Sequence, residues 1–341
     1  MEKKQLDYKE TERKRAIALI KNPNLFNGAK SGRVITSKGK EHSKEEILLN
    51  GIDNIYKPIQ EDVLEYFKEN KIAFWNVSKA KEPSDGPTGH LLSSQVCCIN
   101  HLFPIRHDQE NVLRLAKAVC DDFIDVLPIE TDKCSPGFIQ FEAVSDINHL
   151  NESDTPTRGS LCTSIDALIY AKHKNGSKYL IPIEWKYTEY YDNKDKSIED
   201  RRGEAKGTEG KGKERLKSYS DLITKSQYLK SLPNYRNSVY FFEPFYQLMR
   251  QTLWAEQMIQ HKKDERIKAD DYIHVHIIPD ENKKLLDKEY KISKKPLKET
   301  WLGELKDKEK YVIKTPMDFI KNIDNNKYRD LLNYLQKRYW K

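Results

Sequence analysis

Several absences narrow what this chain can be. No apolar run approaches the roughly 18 residues that crossing a bilayer requires, and the opening residues, MEKKQLDYKETERKR, lack the apolar core of a secretory signal. A cytoplasmic protein with no membrane partner is expected. The five cysteines, Cys97, Cys98, Cys120, Cys134 and Cys162, are odd in number and form no Cys-x-x-Cys pair. Neither a disulfide framework nor a zinc site is therefore indicated, and the thiols read as small reduced side chains in apolar surroundings. A phosphate-binding loop is also missing. Residues 207–213 come nearest, but Glu214 stands where Ser or Thr is needed and a polar tract, not a strand, precedes them. No methyltransferase motif is evident.

What is present is a long, highly charged chain. Its 341 residues suffice for one large or two modest domains, and 37% hydrophobic residues suffice for a core. Sixty Lys and Arg against 53 Asp and Glu leave a formal charge of +7. Both signs are interleaved, so the surplus is compatible with a polyanionic partner without demanding one.

The most informative stretch spans residues 158–191. Two apolar runs, 165–171 and 179–187, rich in Ile, Leu and Tyr, flank the turn signal Lys174-Asn175-Gly176 and predict a β-hairpin. Register then decides the chemistry. A two-residue Asn175-Gly176 turn sets Asp166 against Trp185, on the wrong face. A three-residue loop with Gly176 in the left-handed position sets Asp166 opposite Glu184, with Lys186 on the same face. The second register is the expectation.

Carboxylates paired in this way have Cβ atoms about 5 Å apart, and at an effective dielectric near 20 they repel by roughly 3 kcal/mol. A hard divalent cation beside the Lys186 ammonium offsets that cost best, so the hairpin predicts part of a Mg²⁺ site, with Mn²⁺ able to stand in. The alternative is an exposed sheet face carrying an ordinary ion pair. Glu-x-Lys recurs at residues 12–14, 204–206 and 209–211, but there without an apolar run before it or an acid opposite.

With these residues in view, the chain resembles the PD-(D/E)xK nuclease superfamily. Asp166 is followed after seventeen residues by Glu184-Trp185-Lys186, while the proline that often precedes the first acid is absent. Ser93-Ser94-Gln95, Thr157-Arg158-Gly159, Cys162-Thr163-Ser164 and Phe245-Tyr246-Gln247-Leu248-Met249-Arg250-Gln251 extend the likeness, over residues 60–330, to a bacterial group of restriction endonucleases.

The resemblance implies an α/β fold with a restriction-endonuclease-like core, αβββαβ, whose mixed central sheet is flanked by helices. It also implies a Mg²⁺-dependent DNA endonuclease of restriction or phage-defence type, acting on double-stranded DNA. Asp166 and Glu184 would hold metal, the Trp185 carbonyl would complete the coordination, and Lys186 would stabilise charge. A nuclease fold that binds nucleic acid without cutting is the alternative. A homodimer and a partner protein subunit are both compatible with the sequence.

Other residues are weaker candidates. Glu142, on an expected strand at 138–144, and Glu152, in the loop after it, are possible third acids, although a solvated glutamate is the simpler reading of each. Arg158 can meet a phosphate through its guanidinium fork or form a structural ion pair. Gln247 gains interest because a glutamine from the helix after the Glu-x-Lys strand recurs near the metal in parts of the superfamily. His274 and His276 share a strand face, where alternation on a half-exposed strand explains them better than metal ligation.

The remaining pattern gives three regions. Residues 1–85 read as a helical N-terminal part: a helix stopped by Pro23, a polar connector at 27–40, a helix opened by the capping box at Ser43, and a third over 61–70. The Pro- and Gly-rich stretch 79–89 marks a boundary. Residues 86–300 form the nuclease-like core, with helices at 91–102, 109–126 and 245–260 and a strand at 272–278. The run 238–242, that helix and that strand suggest a parallel crossover. Residues 192–217, nearly devoid of large apolar side chains, predict a mobile loop. Residues 301–341 form a helical C-terminal extension whose Tyr334, Tyr339 and Trp340 are explained more simply by docking on the core than by stacking on bases.

Overall fold

The computed structural model describes residues 7–26, 28–37, 40–74, 86–132, 135–152, 155–159, 162–199 and 210–340. The helices that bear on the site are α1 (Tyr8–Leu19), α2 (Gln60–Glu69), α3 (Ser94–Leu102), α4 (Gln109–Val119), α5 (Lys211–Lys225), α6 (Phe245–Gln260) and α7 (Arg329–Arg338). The strands of the N-terminal hairpin and the central sheet are β1 (Ser31–Ser37), β2 (Lys40–Leu48), β3 (Phe123–Leu127), β4 (Ile139–Ala143), β5 (Ile165–His173), β6 (Lys178–Trp185), β7 (Asp271–Tyr272), β8 (His274–Ile277) and β9 (Tyr311–Lys314), and a short antiparallel pair joins Glu130–Asp132 to Ser135–Gly137.

A mixed sheet runs β9-β8-β6-β5-β3, with β4 also pairing β5 and β7 also pairing β6. The pairs of β5 with β3, β4 and β6 are antiparallel, whereas β7 and β8 lie parallel to β6, and β9 parallel to β8. Helices cover both faces, so the fold is α/β with a flanked mixed sheet. A parallel crossover does pass through α6, but it joins β6 to β8 and does not start from residues 238–242 as expected. The run at 238–242 contributes a 3₁₀ turn, Val239–Phe241, rather than a strand.

Alternation along β5 and β6 sorts the two faces. Ala167, Ile169, Ile181, Ile183 and Trp185 join the cluster under α2, α3, α4 and α7, while Leu168, Tyr170 and Leu180 pack against α5 and α6. Trp185 is fully buried and its indole N–H meets Cys97 Sγ at 3.3 Å. At about 25 cal/mol per Å² its burial contributes roughly 4–6 kcal/mol, which anchors the end of β6. Pro182 has no N–H to give, and it sits where the parallel partner changes from Tyr272, opposite Leu180, to Val275, opposite Ile183.

Several local expectations are corrected. The capping-box pattern at Ser43 opens no helix: the segment is strand β2, paired with β1, and Leu48 N donates to Gly89 O at 2.9 Å. Ile47 and Leu48 are buried there, so tertiary pairing overrides the local signal. The N-terminal part is therefore not all helical, and part of the 27–40 connector is β1. The helix expected over 109–126 stops at Val119, because Cys120 is extended and Phe123, Ile124 and Val126 continue as β3 beside β5. The helix at 91–102 begins at Ser94, with the Ser93 side chain accepting from Val96 N.

The expected loop at 192–217 is also shorter. Residues 211–217 are the first turns of α5, and Gly212 packs so closely that a Cβ there would lie 2.4 Å from Ser197 O. Arg215 pairs with Glu199 at 2.7 Å; residues 200–209 lie outside the described residues. The boundary near residue 85 falls partly in residues 75–85, also outside them. The C-terminal extension is not purely helical, since β9 widens the central sheet. Its last helix docks as expected: buried Arg338 donates to Asn54 O at 2.7 Å and to Tyr334 Oη, and Asn100 donates to Tyr339 Oη at 2.9 Å. Among the described residues no helix is long and apolar enough to cross a membrane.

Candidate active site

The hairpin adopts the three-residue loop. His173 N donates to Ser177 O and Gly176 N to His173 O, each at 2.9 Å, with Gly176 at φ +90°. Continuing the register Lys172↔Lys178 through Ala167↔Ile183 places Asp166 opposite Glu184. Both carboxylates emerge on the α6 face, near the carboxyl ends of the parallel strands β6 and β8, where open α/β sheets leave room for ligands.

The backbone of β6 reaches back to the first acid: Trp185 N–H donates to Asp166 Oδ2 at 2.7 Å. Lys186 follows, its own N–H bonded to Ile277 O at 2.8 Å, which extends the pairing with β8 past the strand end. Its Nζ meets Glu184 Oε1 at 2.5 Å and Gln247 Oε1 at 2.6 Å. One turn along α6, Gln251 donates to Glu184 Oε2. The i, i+4 spacing of Gln247 and Gln251 thus lets one helix face grip both the lysine and the acid.

A third acid joins them. Strand β4 pairs Phe141 with Ala167 and Ala143 with Ile165, which sets Glu142 beside Asp166. Glu142 has φ +48°, a left-handed conformation that costs a non-glycine residue roughly 1–2 kcal/mol, and Gln95 Nε2 holds its Oε1 at 2.8 Å. Glu142, Asp166 and Glu184 line one polar cavity of about 230 Å³ together with Gln247, Arg250 and Gln251.

Charge is concentrated here. Burial, then Glu184 and Glu142, push the Asp166 carboxyl well above its usual range. Burial, with Glu184 adding to it, pushes Glu142 up to about 7. Burial opposes the Lys186 charge, but Glu184, Tyr191, Glu189 and Asp166 outweigh it and hold the ammonium well above its ordinary value. Two carboxyls raised by burial and, after it, by neighbouring acids, in an oxygen-lined cavity, fit a hard divalent cation: its charge would favour their ionised forms. Closing on such an ion requires Glu184 to exchange its bonds to Lys186 and Gln251.

The other sequence candidates fall into place unevenly. Gln247 reaches the site through Lys186. Glu152 does not join the cavity acids: it accepts from Thr163 N at 2.5 Å, Thr163 Oγ1 at 2.6 Å, Tyr219 Oη at 2.6 Å and Arg250 Nη2 at 2.9 Å, and so braces the segment leading into Asp166. Arg158 turns the other way, donating to Asn70 Oδ1 at 2.6 Å, Tyr66 Oη at 2.5 Å and Phe141 O at 2.5 Å, with Glu130 3.6 Å distant. It secures β4 against α2.

His274 and His276 lie on a fully buried strand, not a half-exposed one. His276 is in register with Glu184, its Nδ1 lies 2.9 Å from Tyr311 Oη, and burial pushes His274 down to about 4. Gln95, Arg250 and Gln251 were not singled out as site residues by sequence. The signal was there in the Ser-Ser-Gln and Gln-Leu-Met-Arg-Gln runs, without a geometry to use it.

Compared with known proteins, residues 12–340 match the family model described as restriction endonuclease associating with ARP. No curated protein and no solved structure matches.

Proposed function

The chain belongs to the family of restriction endonucleases associating with ARP, and on that premise we propose that it is a Mg²⁺-dependent DNA endonuclease of PD-(D/E)xK type, serving restriction or phage defence. The observation that carries this reading is the convergence of Asp166, Glu184 and Glu142 on one cavity, with Lys186 bonded to Glu184 at its edge.

Asp166 and Glu184 would hold the metal, with Glu142 as the third acid and the Trp185 carbonyl, next to the N–H that grips Asp166, within the same turn of backbone. Bound there, Mg²⁺ supplies a lowered pKa for water and neutralises phosphate charge. Lys186, kept protonated, orients the attacking water and stabilises charge developing on the phosphate, and Gln247 fixes its ammonium. Arg250 presents a guanidinium to the same cavity while bound to Glu152, a geometry suited to a phosphate oxygen of double-stranded DNA. The family description further supports association with the partner it calls ARP.

Plasmid DNA incubated with the purified chain and Mg²⁺ tests the proposal, alongside Asp166→Ala and Lys186→Ala. Metal-dependent nicking or linearisation, lost by about 10²-fold or more in both variants, is expected. DNA binding with no metal-dependent cleavage would instead support a nuclease fold that recognises without cutting.

A further inference from the structure

A second constellation lies on the other side of β5, at the tip of the hairpin. Cys120 caps α4, Asp122 lies in the turn that leads into β3, and His173 ends β5. One ligand atom from each, a thiol sulfur, a carboxylate oxygen and a ring nitrogen, lies within 4.8 Å of the other two. Among the described residues theirs is the group that meets that spacing, tighter than the acids of the cavity.

The separation of His173 from Asp122 is close to that of two ligands around a shared ion. His173 Nε2 and Asp122 Oδ2 are 3.7 Å apart, too far for a hydrogen bond. Two ligands about 2.0–2.2 Å from a tetrahedral ion are separated by about 3.4 Å. The scaffold is fixed from several directions. Lys174 N donates to Asp122 O at 2.9 Å, tying the turn to the hairpin loop. The imidazole is packed by Phe123 and Tyr179, with ring centroids 5.8 and 5.3 Å away. Lys174 Nζ holds Asp122 Oδ1 at 2.8 Å, which leaves Oδ2 for the ion. Cys120 is half-buried, unlike the fully enclosed Cys97 and Cys98.

We propose that Cys120, Asp122 and His173 form a binding site for a zinc-class divalent ion, with three protein ligands and a fourth position open to water. Thiolate with imidazole selects a borderline-soft metal and disfavours Mg²⁺. The ion would pin the α4–β3 corner to the β5–β6 hairpin. On binding, the Cys120 thiol gives up its proton to solvent, and the Asn175 N–H, 3.3 Å from His173 Nδ1, turns away so that Nδ1 can carry the ring proton.

Cobalt(II) titration of the chelator-treated full chain tests the site directly. A near-ultraviolet thiolate-to-cobalt band, with the strong visible bands of a four-coordinate ion and bleaching by equimolar Zn²⁺, is expected. Cys120→Ser and His173→Ala should each abolish the thiolate band and weaken Zn²⁺ binding by more than about 100-fold, while Asp166→Ala, which removes one of the cavity acids, should leave both intact. No thiolate band in the wild-type chain, or a band that survives both Cys120→Ser and His173→Ala, overturns the proposal. Neither outcome depends on DNA cleavage.

Discussion

Glu142 shows how one side chain can report on the site. Its carboxyl is pushed up to about 7 from an ordinary 4.5, first by burial. An acid whose folded pKa is raised binds more protons folded than unfolded, so its contribution to stability is full below about 4.5 and is lost as pH climbs through about 7. In chelator, urea unfolding should therefore show stability falling between pH 5 and 8, by of order 3 kcal/mol for this group. Glu142→Gln should flatten that slope. Added Mg²⁺ should reverse it at pH 8, because an ion binds the ionised acids of the folded state alone. A slope identical in wild type and Glu142→Gln would show that the carboxyl is not raised by its burial in this cavity. Arg338 behaves differently. It is buried among Asn54, Tyr334 and aromatic rings, and Arg338→Ala should cost about 2–4 kcal/mol in denaturant unfolding, since several buried acceptors lose their donor.

Among the elements, the β5–β6 hairpin sets the register of the chemistry. Gly176 at φ +90° is the residue that the three-residue loop requires, and Gly176→Val should destabilise by about 1–2 kcal/mol in thermal or urea unfolding. The brace from α6 is the second device. Removing it with Glu152→Ala frees Thr163 and Arg250, and single-turnover cutting should fall about tenfold or more while DNA affinity changes little. An equal loss in affinity and rate would mean that Glu152 shapes the DNA surface, not the approach to Asp166. These elements were unequally legible in the sequence. The hairpin could be read because its turn residues and alternation are local, and they distinguish two registers that differ by a whole face. Strand β2 could not, since its Ser-x-x-Glu pattern is a sound helix start that only distant pairing with β1 and residues 89–91 overrules. Glu142 was named but not assigned for the same reason. Its place beside Asp166 depends on a long-range strand pair and a left-handed backbone that no spacing reveals.

For the whole molecule, helices α1 and α7 close around the central sheet. Helix α1 meets the segment after β6 through Glu12, whose Oε2 accepts from Tyr187 Oη at 2.8 Å, and α7 locks Asn54 and Asn100. The α6 face is left holding the acids. Composition alone made a polyanionic partner compatible but not required, and the fold narrows that by placing acids, an ammonium and a guanidinium around one cavity instead of on a spread basic surface. The most direct test of the proposed chemistry is anomalous diffraction from crystals soaked in Mn²⁺. The expected result is a peak about 2.0–2.2 Å from carboxylate oxygens of Asp166 and Glu184, absent in Asp166→Ala. A peak elsewhere in the molecule with none between those two strands would contradict a metal-dependent nuclease centred on them.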